Sequence, residues 1–303
     1  MRLARFNDTH LGAVDEGGET LADLTDLIAD LAPSTWARAP GDPVIARLAQ
    51  IMAQAPALLP DAPRIPIESV TLNPPVATPS KIIGAPVNYH AHLDEAQADA
   101  EIHHGNTIAR IDEIGCFLKA TSALFGPGAT MELPFADRRV DHEGEVAVII
   151  GKPGRRIKAA DAMDHVAGYA LAFDMTVRGT EDRSLRKSFD TAAGLGPWLT
   201  TPDDIVDPSD IAFQLTVNGE IRQSSTTKML IRSVPQLLEM VSAFYTLLPG
   251  DIIMTGTPEG VSPVNAGDLV TVSSPDLGEM SVRIAGQANT AGSATTTPAP
   301  ERQ

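Results

Sequence analysis

The chain has 303 residues, enough for a large core in one or two domains. Its 23 Lys and Arg against 39 Asp and Glu leave a net charge of −16, which speaks against nonspecific nucleic-acid binding and against an anionic membrane surface. One cysteine, Cys116, excludes an internal disulfide and fits a reducing compartment, and no apolar run approaches membrane-spanning length. A soluble, cytoplasmic protein is expected, since Asn7 and Asp8 interrupt any signal-peptide core. The 24 Gly and 24 Pro point to turns and strands rather than a helical bundle.

Taken in chain order, Arg2–Phe6 and His10–Val14 alternate like strands, with turns at Asn7-Asp8 and Asp15–Gly18. Asp42-Pro43 predicts a helix start, Asp as N-cap and Pro at the first position, with Val44, Ile45, Leu48, Ile51 and Met52 on one face. Prolines 56, 60, 63, 66, 74, 75 and 79 then predict an extended connector without regular helix or central strand. Val146–Ile150, Gly168–Met175 and Ile211–Val217 read as strands. Asn218-Gly219 after the last of them is a strong hairpin signal. Pro249-Gly250-Asp251 turns into a strand at Ile252–Thr255, and Gln236–Leu248 reads as an amphipathic helix. Residues 1–75 are thus expected to form a small β-rich N-terminal domain with its connector, 76–286 the main domain and 287–303 a disordered tail.

The sharpest chemical feature is Asp141-His142-Glu143-Gly144-Glu145 at the head of a buried strand. Side chains two apart share a strand face, so Glu143 and Glu145 are paired carboxylates entering an apolar environment. A hard cation between them relieves the repulsion: Mg²⁺ first, then Mn²⁺ or Ca²⁺. Asp174, at the end of an apolar strand, is the candidate third ligand. Arg178 and Lys187 follow as cations able to meet a carboxylate or polarise a carbonyl, whereas Arg183 and Arg186 read as solvated charge on a surface loop.

In a helical turn over Tyr89–Glu95, His92 and Glu95 are neighbours at i, i+3, the pattern of a base held by a carboxylate. His90 and the pair His103-His104 compete with His92, the latter pair within a polar segment, Ala96–Gly115, that reads as a lid. Thr255–Val261 is rich in small residues that let backbone amides approach a ligand, but without Gly-Lys-Ser/Thr it is no phosphate loop.

These pieces together resemble the fumarylacetoacetate hydrolase family, in its acylpyruvase and 2-hydroxyhepta-2,4-diene-1,7-dioate isomerase branch. The resemblance rests on Asn88-Tyr89-x-x-His92-x-x-Glu95, Phe117-Leu118-Lys119, Asp141-x-Glu143-x-Glu145, Asp174-x-Thr176-x-Arg178, Lys187-Ser188-Phe189-Asp190, Gly196-Pro197-Trp198 and Pro249-Gly250-Asp251 through Thr255-Gly256-Thr257-Pro258. It implies an α+β, mostly β fold, with a mixed β-roll catalytic domain, usually dimeric, after a small N-terminal domain. It also implies Mg²⁺ or Mn²⁺ on Glu143, Glu145 and Asp174. The expected substrate is a small anionic 2-oxo acid such as an acylpyruvate. It would be met by Lys187, Arg178, Thr257 and Tyr89, with His92, oriented by Glu95, activating water. Hydrolysis of a carbon–carbon bond is the first activity implied, and decarboxylation, isomerisation or hydration of a 2-oxo or 2-hydroxymuconate-type diacid the second. A non-catalytic 2-oxo-acid binding protein is the reading from another class, against which the intact His92, Glu95 and Lys187 speak. Pro86 stands where the family has Gly. Glu181 stands where it has Gln, placing a carboxylate for a substrate donor or for Arg183.

Overall fold

The computed structural model describes residues 1–31 and 41–287. The predicted tail beyond residue 287 lies outside them. The fold is α+β and mostly β. Its largest sheet has twelve strands, and ten of them run in the order Arg64–Pro66, Thr20–Asp23, His10–Val14, Arg2–Phe6, Ala193–Thr200, Val166–Asp174, Gly144–Ile150, Ile252–Met254, Ile82–Gly84 and Phe117–Lys119. The N-terminal strands are therefore continuous with the central ones, through Arg2–Phe6 against Ala193–Thr200.

The central strands are unbroken apolar runs because both of their faces are covered. Val146, Val148 and Ile150 pack with Leu171 and Phe173 against Phe213, Leu215, Val270 and Val272 of a second, five-stranded sheet. Ala147, Ile149, Ala170 and Ala172 point the other way and pack against Ile45, Leu48 and Ile51 of the N-terminal helices. In the second sheet Asn218 and Gly219 both take positive φ, 53° and 82°, the backbone a two-residue hairpin turn requires.

Asp42 does cap the helix Pro43–Ala46, but the helical path resets at Arg47 before continuing as Leu48–Leu58. Pro56 lies inside that second helix, contrary to the expected extended connector. It is exposed in the last turn, where its ring faces solvent and its missing amide removes a single intrahelical bond. The predicted helix at Gln236–Leu248 begins and ends earlier, at Val234–Phe244. A Ser233–Gln236 capping box starts it, and Tyr245 ends it by turning extended so that Leu247 bridges Gly154.

Buried Asp42 ties three segments together. Its Oδ1 accepts from the amides of Val44 and Ile45, its Oδ2 from those of Ala77 and Thr78, and its own amide donates to the Pro249 carbonyl. Asp42→Ala orphans four amides at once and is expected to cost about 2–4 kcal/mol, read as a lowered urea midpoint.

Candidate active site

The site grows out of the strand pair at the centre of the large sheet. Gly144 lies opposite Phe173 and Glu145 opposite Ala172. One step further, the Asp174 amide donates to the Glu143 carbonyl at 2.9 Å. Alternation then sends Glu143, Glu145 and Asp174 to one side, and all three are buried. One carboxylate oxygen from each lies within 4.8 Å of the others. The donor set is oxygen only, which suits a hard divalent cation.

Positive groups surround this cluster unevenly. Lys187 Nζ donates to Glu143 Oε2 (2.6 Å), Asp174 Oδ2 (2.7 Å) and Thr176 Oγ1 (2.6 Å). Arg178 donates to Asp141 Oδ2 (2.7 Å) and Glu143 Oε1 (3.1 Å). Lys119 Nζ donates to Asp174 Oδ1 at 2.5 Å. Burial works against a charged Glu143, but Lys187 and then Arg178 outweigh it and hold its carboxyl well below the usual range. Among the described residues Glu145 forms no ion pair, and Lys187 acts on it only weakly from farther off. Its Oε2 accepts only the Gly256 amide, at 2.7 Å. Burial first, then Asp174 and Glu143, push its carboxyl well above the usual range. A cation shared by the three carboxylates supplies the charge that Glu145 lacks, so these residues fit the metal their chemistry suggests.

His92 sits in the first turn of the helix His90–Ala98. Its Nδ1 lies 2.9 Å from Glu95 Oε2, while Glu95 Oε1 accepts the Gly260 amide at 2.8 Å. The small-residue loop thus supports the site through its backbone. Gly256 holds Glu145 and Gly260 holds Glu95, while Thr257 Oγ1 donates to the Gly144 carbonyl at 2.9 Å. Gly256 has φ +104°, and a Cβ there would come within 2.8 Å of the Asn88 Cβ, so a side chain at this position is excluded twice over.

His92, Glu143, Glu145, Asp174, Arg178, Lys187 and Thr257 line one pocket, with Pro86 in its wall and Glu95 behind His92. Ala96, Ile102 and Ile108 close the pocket from the segment expected to be a lid. Two residues expected to meet the substrate, Tyr89 and Glu181, are not among those lining this pocket. Tyr89 is buried with its ring in the core; its hydroxyl has no hydrogen-bond partner among the described residues but lies near enough to Glu145 to feel that carboxylate's charge. Glu181 is outside the pocket, in a two-pronged pair with Arg138 (2.8 Å to each carboxylate oxygen) rather than with Arg183. Arg183 and Arg186, expected as solvated surface charge, are half-buried pocket residues instead. His90 and His104 are exposed and His103 accepts the Gly105 amide, so His92 is the one histidine in the pocket among the described residues.

Sequence reasoning gives no role to Lys119, although a lysine in a short apolar strand is a usable signal. It misses Gln223 entirely. That residue is buried, accepts the Gly144 amide and donates to Thr257 Oγ1, joining positions too far apart in sequence to suggest one another. Arg139 is equally unforeseen: it links Asp141 to Asp99 and Glu101 of the closing segment.

The family model described as fumarylacetoacetate (FAA) hydrolase C-terminal matches residues 81–285. A maleylpyruvate hydrolase of Aquipseudomonas alcaligenes is 46% identical over 287 residues, covering 94% of this chain and 99% of the relative. A mitochondrial oxaloacetate tautomerase of Rattus norvegicus is 40% identical, covering 73% of this chain and 72% of the relative. Among solved structures, maleylpyruvate hydrolase from Sphingobium sp. SYK-6 in complex with manganese(II) and pyruvate superimposes with a TM-score of 0.81 at 41% identity, covering 95% of this chain and all of that one (100%).

Glu145→Ala is expected to lower Mn²⁺ affinity at least about 100-fold, measured by titration calorimetry. Cys116 offers a separate check on the burial beside Glu145. Its thiol is pushed up to about 12 by burial and then by Glu145. Because the charged thiolate is the disfavoured form, only about one thiol in ten thousand is reactive at pH 8. Iodoacetamide should therefore label Cys116 slowly in the folded protein and readily after unfolding.

Proposed function

The chain belongs to the fumarylacetoacetate hydrolase family, and from that premise we propose that it is a divalent-metal-dependent hydrolase cleaving a carbon–carbon bond of an acylpyruvate. The observation that carries the reading is the His92–Glu95 pair, a general base in the same pocket as the three carboxylates and able to take a proton from water. Glu95 accepts at both oxygens, so His92 Nδ1 is the protonated nitrogen and Nε2 is left free to take a proton.

A divalent ion such as Mn²⁺ or Mg²⁺ on Glu143, Glu145 and Asp174 supplies Lewis-acid polarisation of a 2-oxo acid. The protein's own groups do the rest. Lys187, already beside two of the carboxylates, presents an ammonium to the oxygen that gains charge as the enolate forms. His92 Nε2 removes a proton from water, which attacks the distal carbonyl. The bond between that carbon and C3 of the pyruvate half breaks, and its electron pair passes into the enolate. The proton held at Nε2 is then available for C3, giving pyruvate and a carboxylic acid. Glu95 and the Gly260 amide fix the imidazole throughout, as positioning groups. Thr257, tied between Gly144 and Gln223, offers its backbone to the substrate.

Likeness to the oxaloacetate tautomerase favours a second reading, isomerisation through the same enolate without attack by water. The assembly proposed, on family grounds, is a homodimer.

Purified protein with Mn²⁺ should remove the ultraviolet enol absorbance of an acylpyruvate and release pyruvate with one equivalent of acid. His92→Asn should lower kcat about 10²- to 10⁴-fold while Mn²⁺ affinity is retained. Undiminished hydrolysis in that variant would remove the base from His92. A product of unchanged mass would favour the isomerase reading.

A further inference from the structure

Among the charged groups of the pocket, Arg183 stands apart. Arg178 is neutralised by Asp141 and Glu143, and Lys187 by Glu143 and Asp174. Arg183 has no carboxylate within salt-bridge distance among the described residues. Its neighbour Arg186 reaches only the backbone carbonyls of Glu181 and Val177. Both line the pocket and both are half-buried. A guanidinium is a strongly preferred partner for a carboxylate, and withdrawing one from bulk water without an anion is unfavourable.

The geometry also places Arg183 at a definite point. It opens the short helix Arg183–Arg186, and Lys187 is the residue that caps its end. Arg183 therefore lies one helical turn, about 6 Å, from the residue whose ammonium touches two of the metal-site carboxylates. The Phe117 ring supports both cations, with its centroid 5.7 Å from Arg183 Cζ and 5.4 Å from Lys187 Nζ. Burial, followed by repulsion from Arg178 and Arg183, lowers the Arg186 guanidinium from its ordinary value, the mark of surplus positive charge at this wall.

We propose that Arg183, with Arg186 beside it, seats a second carboxylate carried a few carbon atoms beyond the 2-oxo group, so that the site selects dicarboxylic over neutral-tailed 2-oxo acids. The inference rests on the proposed reading of the pocket as a 2-oxo-acid site. It adds the residues that choose the distal group. Charge complementarity supports it. The pocket carries Glu143, Glu145 and Asp174 against Arg178, Arg183, Arg186 and Lys187 before any divalent ion is counted. A dianion matches that surplus better than a monoanion does.

The test compares 2-oxoadipate with 2-oxohexanoate, in which a methyl group replaces the distal carboxylate; neither has the second carbonyl needed for cleavage. Titration calorimetry of the Mn²⁺-loaded protein should show a preference for the diacid of about 10- to 100-fold. Arg183→Gln should collapse that preference and Arg183→Lys should restore part of it. In turnover, the ratio of kcat/KM for maleylpyruvate over acetylpyruvate should fall by the same factor in Arg183→Gln. Equal binding of the two acids by the wild type, or a preference that survives Arg183→Gln, overturns the assignment. If the wild type prefers the diacid but cleaves neither acylpyruvate, the hydrolase reading fails and the role of Arg183 stands. Cleavage of both acylpyruvates without any binding preference upholds the hydrolase reading and removes the role from Arg183.

Discussion

Three buried carboxylates within 4.8 Å of one another are the constraint around which this protein is arranged. At an effective dielectric constant of 20, each such pair repels by about 3–4 kcal/mol. The fold answers with cations from separate segments. Lys119 comes from the edge strand of the large sheet, Arg178 from just beyond Asp174, and Lys187 from the end of a short helix. The sheet supplies the rigidity this requires. Its central strands are packed on both faces, so carboxylates placed at their ends cannot relax apart without disturbing two cores at once.

Much of this is legible in the sequence because it is local. Glu143 and Glu145 are two apart on a strand, His92 and Glu95 three apart on a helix, and either periodicity places both members of its pair together. Asn218-Gly219 and Asp42-Pro43 are short signals with a direct backbone cause, and both appear in the fold as read. What stays hidden depends on distant pairing. Lys119 reaches Asp174 across 55 residues and Gln223 reaches Gly144 across 79, and no periodicity connects either pair.

The errors have the same origin. Arg183, Arg186 and Glu181 lie close together in a charged stretch where composition says only that the segment is polar. Tertiary position then separates them, the arginines turning into the pocket and Glu181 outward to Arg138. Adjacency to Asn88 and His92 suggests a site role for Tyr89. Tyr89 precedes the helix and packs its ring into the core, so it stays out of the pocket lining although it adjoins the site in sequence. Pro56 shows the limit of a rule about proline spacing. The ring breaks a helix interior, but an exposed position near the helix end tolerates it.

The loop from Thr255 to Val261 holds two parts of the chemistry with two amides of one short backbone. Gly256 fixes a metal-site carboxylate and Gly260 fixes the carboxylate behind the imidazole. The spacing between ion and base is thereby built into a single element, and inserting one residue there would displace both together. The rest of the lining, Ile102 and Ile108 with Arg183 and Arg186, is joined to neither amide. The pocket is in this sense modular, a fixed reacting half and a half free to vary. Changes of substrate can accumulate on the free half while the distance that governs bond cleavage is left intact.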